Sequence, residues 1–471
     1  PFEWDGCALI HNGEIYNYPE LRDQLIALGH TFETTSDTEV IVHAYRQWGA
    51  DCVKHFEGMW AFALADTRRD VLFISRDRFG EKPLFLWPQG DALYFASEIK
   101  SLAALTGRAP KVNENQVRRY LVNGYKALFK RPETFFDGVE ELPPGCNLLL
   151  RSPRADRPER YWNLSYAPTE MSEEDAVDGA RERLFESVRV RMRADVPVAF
   201  CLSGGVDSSA LASIAAKHCG RQIHTFSIID QDVRYNETEN IDATARELGS
   251  DHHVIQTSTM GFLDRLAAQV DYHDGPVSTI SYYIHGFLSQ AIADAGFKVA
   301  ISGTAADELF TGYYDHYSFW LAEMRESTEI DSLLTDWGDS YGAHVRNPFL
   351  QDPLQFAKTP DERRHIYLNR ELFNSLMHEP FEEDFFEADL SPNLLRGRML
   401  NELFHEAIPV LLREDDLNSM SVSIENRSPY LDRHLSEFMY SVPSRYLIKD
   451  GYAKWILREA VDGVLNDQVR L

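Results

Sequence analysis

Cysteine is scarce in this sequence, and its distribution excludes two kinds of covalent scaffold. Only five cysteines occur in 471 residues, without any C-x-x-C pair: Cys7, Cys52, Cys146, Cys201 and Cys219. An odd number of scattered cysteines argues against a disulfide framework and against a zinc site. We therefore expect a protein of a reducing compartment, the cytoplasm.

Basic side chains are also in short supply. The chain has 47 Lys and Arg against 74 Asp and Glu, which gives a formal charge of -27. Such a surface repels phosphate backbones and anionic lipids, so we expect neither a nucleic-acid nor a membrane partner. No run of 18 apolar residues occurs, and the first residues lack the features of a signal peptide. A polyanionic ligand such as a nucleotide would need a local device to overcome the global charge.

The composition indicates a globular chain with more than one domain. With 44% hydrophobic and 12% aromatic residues, the chain can fill well-packed cores. The segment between 142 and 169 is rich in proline and charge, above all at 152–158, and such composition marks a domain boundary. We predict a first domain over residues 1–165 and a second over 170–471.

The first domain has the pattern of a mixed α/β structure. Short apolar runs bounded by turn residues predict strands at 7–10, 60–64, 71–74 and 92–95. Apolar residues three and four apart predict helices at 19–28 and 38–48, the second with Asp37 as its N-cap. Cys7 falls within the first strand and is interpreted as a core residue.

The second domain alternates strands with helices. Residues 172–175 are close to a capping box and open a helix. Strands predicted at 196–202, 223–229 and 298–301 alternate with helices at 208–217 and 239–248. This alternation predicts a parallel sheet with helices on both faces. From about residue 318 onward the chain is predicted to be mostly helical.

A Gly-rich loop, LSGGVDSS at 202–209, follows the first of these strands. Its glycines let the backbone approach an anion closely, and its serines add hydroxyl donors to the N–H groups of a helix N-terminus. An ordinary serine-capped turn would explain a lone Ser-Gly-Gly, but this combination predicts a pyrophosphate cradle. Asp207 would repel a bare phosphate, so we expect a divalent cation between the two.

A second loop, ISGTAADELFTGY at 301–313, follows a later strand. The carboxyl ends of parallel strands meet at one edge of a sheet, so the two loops could face one site. Asp207 and Asp307 would then be paired carboxylates, which is the chemistry that holds Mg²⁺ on ATP phosphates. By itself, Asp307 is equally well explained as a helix cap.

Five motifs in order resemble one known family. In the second domain they are SGGVDSS at 203–209, SGxxADELFxGY at 302–313 and SMSxSxExRSPYLD at 419–432, which KWILR at 454–458 follows. Together these resemble the synthetase domain of glutamine-dependent asparagine synthetases. In the first domain, NGEIYN at 12–17 and SDTEV at 36–40 resemble the glutaminase domain of the same family.

The resemblance implies a fold for each domain and a two-step reaction. The expected fold class is α/β: an incomplete N-terminal-nucleophile hydrolase-like α/β sandwich, then a Rossmann-like parallel-sheet ATP-pyrophosphatase domain with added helices. The first domain would release ammonia from glutamine and pass it on internally. The second would use ATP and Mg²⁺ to adenylate a small carboxylate, aspartate by default, and amidate it, giving AMP and pyrophosphate. A homodimer is left open.

The resemblance also implies roles for residues at matching positions. Asn12 and Gly13 resemble the oxyanion-hole pair, and the resemblance implies that they would bind glutamine together with Glu14 and Asp37. The positions that resemble ATP contacts are Leu202, Ser203, Gly204, Gly205, Asp207, Ser208, Ile228, Ser302 and Gly303. Asp207 and Asp307 resemble the Mg²⁺ ligands. Lys454 resembles the lysine that stabilises adenylate or transition-state charge, although without the family it would be interpreted as a solvated helix cation.

The chain departs from the family at the glutaminase nucleophile. In the family this residue is a cysteine at the mature N-terminus, several tens of residues before the Asn-Gly-Glu motif, whereas eleven residues precede Asn12 here. We expect that the chain is a fragment without its nucleophile segment; a naturally inactive domain is the alternative. The family also continues beyond the position of Leu471.

A second departure is Thr304, where the family usually has Glu, assigned a role in adenylate formation or as base for ammonia. Threonine cannot ionise, so the change puts the identity of the acceptor in question. Glu308 or Glu425 could supply a replacement base, and Thr304 and Glu308 join the candidate catalytic residues. The alternatives to aspartate are a sugar acid in surface-polysaccharide assembly, an intramolecular cyclisation, and a non-catalytic scaffold that binds nucleotide or partner proteins.

Overall fold

The computed structural model of the chain describes residues 1–151, 157–229 and 237–471, which divide into two units. The first unit comprises Pro1–Leu121 and Leu128–Asn163, and the second comprises Val122–Ala127 and Leu164–Leu471. Residues 152–156 of the predicted boundary segment lie outside the described residues. The limits 1–165 and 170–471 therefore remain a prediction.

Antiparallel strands form two sheets in the first unit. Among the described residues, one sheet has the order β1-β2-β3-β4-β8-β9 and the other the order β6-β5-β7. The strands are β1 (Phe2–Trp4), β2 (Cys7–Ile15), β3 (Gly58–Asp66), β4 (Val71–Arg76), β5 (Phe85–Gln89), β6 (Ala92–Ala96), β7 (Glu140–Glu141), β8 (Cys146–Leu150) and β9 (Glu159–Arg160). All four predicted strands are present, and each is one to five residues longer than predicted.

The central strand β3 shows why the first unit is layered. Its large side chains Trp60, Phe62 and Leu64 alternate with Ala61 and Ala63, because successive residues of a strand point to opposite faces. The large residues pack in a core with the helices of this unit, and the alanines face a core shared with the smaller sheet. The result is an α/β sandwich, which confirms the predicted fold class.

Three α-helices lie wholly within the described part of the first unit: α1 (Tyr18–Ala27), α2 (Asp37–Trp48) and α3 (Ile99–Thr106). A fourth, α4 (Glu114–Asn123), begins in this unit and ends two residues after Leu121. The prediction that Asp37 is the N-cap of α2 is wrong. Ser36 is the N-cap, and its hydroxyl accepts a hydrogen bond from the Thr38 N–H at 3.2 Å. Asp37 is instead the first helical residue, and its carboxylate accepts from the Ile15 N–H at 3.0 Å. The Asp37 side chain is therefore directed at the end of β2.

The second unit contains a five-stranded parallel sheet of order β12-β11-β10-β13-β14 in the residues described. Its strands are β10 (Val198–Cys201), β11 (His224–Ile229), β12 (Asp251–Gln256), β13 (Val299–Ile301) and β14 (Glu425–Arg427). This confirms the predicted parallel sheet. Its two outer strands, β12 and β14, were not predicted, because β12 carries two histidines and β14 is a polar three-residue segment without an apolar run.

Helices surround this sheet. They are α5 (Glu173–Arg191), α6 (Val206–Ser213), α7 (Thr238–Leu248), α8 (Phe262–His273), α9 (Ile280–Asp294), α10 (Ala306–Phe310), α11 (Tyr314–Glu323), α12 (Ile330–Asp339), α13 (Gln355–Lys358), α14 (Arg370–Ser375), α15 (Leu394–His405), α16 (Ala407–Met420), α17 (Arg433–Met439), α18 (Trp455–Ala460) and α19 (Asp467–Arg470). The capping box of α5 is confirmed, since Ser172 and Asp175 bond reciprocally. Helix α6 begins two residues before the predicted 208. Of the helices described, none is long and apolar enough to cross a lipid bilayer.

A buried carboxylate organises one turn of the first unit. Asp77, which is fully buried, follows β4 and accepts four backbone hydrogen bonds. Its Oδ1 accepts from the N–H groups of Phe79 and Glu81, both at 3.0 Å, and its Oδ2 accepts from those of Lys82 at 3.0 Å and Trp60 at 3.3 Å. One side chain thus ties the turn to the central strand β3.

Replacing Asp77 by alanine should destabilise the first unit by about 3 kcal/mol or more, because it leaves four buried N–H groups without an acceptor. Urea unfolding of the full chain, followed by the fluorescence of its tryptophans, measures the change. The control is Asp51→Ala, which removes an exposed carboxylate paired with Lys54 and should change stability by less than about 0.5 kcal/mol. Equal stabilities for the two variants would contradict the organising role.

Candidate active site

The predicted phosphate loop lies where expected, between β10 and α6. The Ser203 N–H donates to the Ser208 Oγ at 2.9 Å, and the two hydroxyls are 3.0 Å apart. The Gly204 N–H donates to Glu237 Oε2 at 3.1 Å. The Gly204 N–H of this loop is therefore already bonded to Glu237, a residue that the sequence analysis did not single out.

The second loop lies beside the first, as predicted. It follows β13, the neighbour of β10, and leads into α10 through Ala305, whose φ is +75°. A Cβ added to Gly303 would lie 3.2 Å from both the Asp207 Cβ and the Ser208 N. A larger residue at 303 would press on the first loop, so the glycine permits the two loops to meet.

Lys454 joins the two predicted metal ligands. Its Nζ lies 2.6 Å from Asp207 Oδ2 and 2.6 Å from Asp307 Oδ1. Lys454 lies just before α18 with a φ of +59°, a left-handed conformation that costs energy in a residue with a Cβ. Three residues separated by about a hundred positions or more thus meet at one point, and Lys454 is not the solvated helix cation that its local sequence suggests.

Gly312 leaves the space in which this contact forms. A Cβ at that position would lie 1.7 Å from Asp307 Oδ1 and 2.7 Å from Lys454 Cε. Burial raises the pKa of Asp207, as does the charge of Asp307, and Lys454 opposes both effects. Burial alone would lower the pKa of Lys454, but the two carboxylates raise it. The cluster therefore holds an ammonium ion between two carboxylates.

A cavity of about 390 Å³ opens beside the two loops. Seven of the nine predicted ATP contacts line it, and Thr304 does so as well: Leu202, Ser203, Asp207, Ser208, Ile228, Ser302, Gly303 and Thr304. Gly204 and Gly205 are outside this set of described lining residues. Polar residues that sequence reasoning missed also line it, among them Glu237, His285, Ser289, Asp415 and Asn426. Glu237, His285, Ser289 and Asp415 lie outside the quoted motifs, and Asn426 is at an unspecified position of the motif at 419–432.

Glu308 and Thr304 occupy different environments. Thr304 lines the cavity, and its hydroxyl is 3.1 Å from that of Ser302. Glu308 is 1% exposed and accepts a hydrogen bond from the Tyr313 hydroxyl at 2.7 Å. Burial, with the charges of Asp307 and Glu402, raises the pKa of Glu308 to about 8. Glu308 can therefore exchange a proton near neutral pH.

Glu425, the other proposed replacement base, is engaged elsewhere. It lies on β14, and its Oε1 accepts from Arg427 Nε at 2.7 Å. This ion pair engages the Glu425 carboxylate, and Glu425 is not among the described residues that line the cavity.

A buried ion network lies next to Glu308. Glu402 is bonded to His316 Nε2 at 2.5 Å and to Arg398 Nη2 at 3.0 Å, and Arg398 also pairs with Glu406. Asp315, His316 and Glu402 are residue types that bind metals, and their ligand atoms lie within 4.8 Å of one another. Arg398 Nη2 lies 3.0 Å from Glu402 Oε1 and its Nε lies 3.7 Å from Asp315 Oδ2, so both carboxylates of this group belong to an ion-pair network.

The predicted glutaminase residues gather at the end of β2. Asn12, Gly13 and Glu14 pair in register with Ala61, Trp60 and Met59 of β3. Gly13 has a φ of +141°, and a Cβ there would lie 2.1 Å from the Met59 carbonyl oxygen. Only glycine fits this close approach of two strands.

Two polar contacts complete the arrangement in the first unit. The Asn12 side-chain amide donates to the Ser97 Oγ at 3.1 Å, and Asp37 accepts from the Ile15 N–H. The structure thus places Asp37 beside the NGEI segment, although it follows Ile15 by 22 residues. Cys7 is 2% exposed, and burial raises the pKa of its thiol, as expected of a core cysteine.

Family models match nearly the whole chain. The model described as Asparagine synthase matches residues 179–470, more than half of the chain, and the model described as Glutamine amidotransferase domain matches residues 1–162. The chain belongs to the asparagine synthase family. It is an asparagine synthase-like glutamine amidotransferase, as the motifs predicted.

Individual relatives differ in the activity that their names state. The chain is 31% identical over 486 residues to the glutamine-hydrolyzing asparagine synthetase 3 of Bacillus subtilis (strain 168), with 99% of this chain and 75% of that one covered. It is 28% identical over 512 residues to the amidase chyE of Penicillium rubens, with 97% and 75% covered. Membership of the asparagine synthase family therefore leaves the acceptor open.

A solved structure shows a more distant likeness. The glutamine phosphoribosylpyrophosphate amidotransferase of B. subtilis, complexed with ADP and GMP, is 18% identical with a TM-score of 0.26. The comparison covers 54% of this chain and 61% of that one, less than two thirds of its length. At this distance the likeness does not bear on fold or function.

Glu308→Gln should stabilise the ligand-free chain increasingly as the pH rises. The ordinary pKa of Glu is near 4.5 and that of buried Glu308 is about 8. Between these values the unfolded chain releases a proton that the folded chain keeps, which favours unfolding by at most about 1.4 kcal/mol per pH unit. Glutamine removes this penalty. Thermal unfolding at pH 5, 6, 7 and 8 should therefore show a growing difference in Tm between variant and wild type.

The control for this pH series is Glu326→Gln, whose side chain is 86% exposed. It should show no trend with pH. A constant difference in Tm for Glu308→Gln across the series would mean that Glu308 ionises normally in the folded chain.

Proposed function

We propose that the chain is an ATP- and Mg²⁺-dependent ligase that amidates a small carboxylate with ammonia from glutamine. In this proposal the second domain, 170–471, adenylates the carboxylate and the first, 1–165, supplies ammonia. Names of relatives such as asparagine synthetase support this activity, and aspartate is the default acceptor. The observation that carries the proposal is the contact of Lys454 with Asp207 and Asp307 beside the cavity.

The two carboxylates are suited to a divalent cation on ATP. Their oxygens converge on one cation already, the Lys454 ammonium, and carboxylate oxygens are the donors that Mg²⁺ prefers. Mg²⁺ held by Asp207 and Asp307 would offset charge on phosphate oxygens. Lys454 would then be free to turn its ammonium towards the phosphate at which the acceptor attacks.

The remaining roles follow from position. The hydroxyls of Ser203 and Ser208 and the N-terminus of α6 can bind phosphate oxygens, while Leu202 and Ile228 offer apolar surface for the base. Lys454 would stabilise negative charge that develops during adenylate formation. Glu308 would accept the proton that ammonia loses when it attacks the activated carboxylate, since its pKa of about 8 suits a general base.

The first domain would hydrolyse glutamine at the end of β2. One Asn12 amide hydrogen is bonded to Ser97, which leaves the other for a developing oxyanion, together with the Gly13 N–H. Glu14 and Asp37 would hold the ammonium and backbone of glutamine. These roles rest on the match of the motifs to the family.

The acceptor has a second candidate, because Thr304 stands in the cavity wall where the family usually has Glu. A hydroxyl there offers one donor and no charge, which suits an acceptor different from aspartate, such as a sugar acid. One relative is named an amidase and not an asparagine synthetase, which is consistent with an acceptor other than aspartate but does not identify it.

Asp207→Asn should lower pyrophosphate release at least about 100-fold, because the substitution removes one of two charges that hold the cation and orient Lys454. The assay supplies MgATP, ammonium chloride and a panel of carboxylates and measures pyrophosphate and AMP. Ammonium chloride makes the result independent of the glutaminase step. The control is Asp251→Asn, which alters an exposed carboxylate paired with His224 and should leave the rate unchanged.

Pyrophosphate release that persists in Asp207→Asn would contradict the proposed role of this carboxylate. Nucleotide binding by the wild type without turnover of any acceptor would favour the non-catalytic scaffold.

With aspartate as acceptor, the wild type should form AMP and asparagine in equal amounts from MgATP and ammonia. Mass spectrometry of the products distinguishes the acceptors. AMP formation with a sugar acid and not with aspartate would replace aspartate by the second candidate. Amide formed without any added nitrogen source would instead indicate intramolecular cyclisation.

A further inference from the structure

The turn between α10 and α11 holds a threonine in a strained backbone conformation. Thr311 ends α10 with a φ of +75° and a ψ of 167°, and its side chain is fully buried. Almost only glycine adopts this region, because a Cβ there crowds the neighbouring backbone, and the β-branched side chain of threonine crowds it further. Strained residues of this kind persist where the surrounding contacts hold them in place, and they cluster at functional sites.

The Thr311 hydroxyl contacts the backbone of Lys454. Its Oγ1 accepts a hydrogen bond from the Lys454 N–H at 3.1 Å. Lys454 immediately precedes α18 with a φ of +59°, so its N–H has no partner within that helix. Its carbonyl, by contrast, accepts from the Arg458 N–H at 2.9 Å in the first turn of α18. Thr311 therefore supplies the hydrogen bond that the helix cannot provide.

The residue after Thr311 lies against the side chain of the same lysine. A Cβ at Gly312 would lie 2.7 Å from Lys454 Cε. The turn at 311–312 thus meets Lys454 twice, at its backbone N–H and along its side chain. This turn continues directly from α10, which carries Asp307, and Asp307 Oδ1 lies 2.6 Å from Lys454 Nζ. One short segment therefore contacts both the backbone and the ammonium of Lys454.

We infer that Thr311 is a positioning residue for Lys454: its hydroxyl holds the lysine backbone in the left-handed conformation that places the ammonium between Asp207 and Asp307. This inference rests on the proposed role of Lys454 in pyrophosphate release. The lysine side chain is long, so a rotation of its backbone moves the ammonium much further than the Cα. A displacement of about 1 Å at a catalytic group can lower a rate roughly 100-fold. The motif at 302–313 leaves position 311 unspecified, so the family resemblance assigns it no role.

The strain at Thr311 separates a positioning role from a purely structural one. If the side chain only filled space in the core, activity would fall only as far as the stability of the folded chain fell. If its hydroxyl positions Lys454, glycine at 311 relieves the strain and at the same time frees the lysine backbone. Stability and rate would then change in opposite directions.

The test compares Thr311→Gly with the wild type in the full chain. The Tm of the variant should be equal to that of the wild type or higher, because glycine adopts this conformation without strain. Pyrophosphate release is measured with MgATP, ammonium chloride and the carboxylate that the wild type turns over fastest. Its kcat should fall roughly tenfold or more. The KM for MgATP should change less than about twofold, since Thr311 is outside the described cavity lining.

Two further variants isolate the hydroxyl. Thr311→Ser keeps it, and kcat should stay within about twofold of the wild type. Thr311→Ala differs from the serine variant only in the hydroxyl, and it should be as slow as Thr311→Gly. If Thr311→Gly lowers the Tm, the serine and alanine variants carry the test by themselves. The control for strain relief is Asp70→Gly, which replaces an exposed residue of the first unit with a φ of +54° and should not alter kcat.

A kcat unchanged in both Thr311→Gly and Thr311→Ala would overturn the inference, and so would a serine variant as slow as the alanine variant. A kcat that falls in step with Tm across the variants would assign Thr311 a structural role only. Full activity of Lys454→Ala would refute the role of Lys454 on which the inference rests. Failure of the wild type to release pyrophosphate with any carboxylate would refute the proposed function itself.

Discussion

The second unit depends on the placement of one ammonium ion between two carboxylates. Asp207 and Asp307 lie in the first turns of α6 and α10, at the carboxyl edge of the sheet, and their charges would repel each other without a cation. Lys454 supplies that cation from a distant part of the chain. Removing one member of this partly buried group is costly, because an uncompensated charge remains. Gly312 and the left-handed backbone of Lys454 are the local requirements of the contact.

The same cluster connects the fold to the proposed chemistry. A carboxylate pair that already binds one cation, the Lys454 ammonium, can bind Mg²⁺ in its place. Binding of MgATP would therefore replace one cation by another and leave the two carboxylates where they are. Glu308, one residue after Asp307, lies at the buried end of this group and beside the Arg398 network. The pKa of Glu308 is raised because the residue is buried there. A buried carboxyl group lowers the stability of the folded chain, which is a common compromise between stability and function.

The first unit shows a different constraint, the close approach of two strands. Gly13 and Gly58 lie opposite the Met59 and Glu14 carbonyls, where a Cβ would collide with backbone. This approach presents Asn12 and Glu14 at the end of β2, and Asp37 meets them from the start of α2. A rigid strand pair thus positions the residues that the family motif assigns to glutamine.

The sequence alone determined the elements whose signals are local. The loops at 202–209 and 301–313 were predicted because glycines, hydroxyls and an acid follow an apolar run, and that pattern is complete within a dozen residues. The three inner strands of the parallel sheet and four of the nine described strands of the sandwich were predicted from apolar runs for the same reason. The family itself was also readable from motifs in order, and the family models confirm it.

Only the tertiary structure decided what meets at the site. Lys454 resembles a surface cation in its local sequence, β14 has no apolar pattern, and neither His285 nor Asp415 belongs to a motif that the sequence reading recognised. Glu237 on the Gly204 amide and Ser36 as the cap of α2 were likewise invisible. Each depends on contacts between residues far apart in the chain, or on which of two neighbouring side chains the packing turns inward. A local sequence pattern does not predict such contacts, because the packing of the chain, and not proximity in the sequence, brings the partners together.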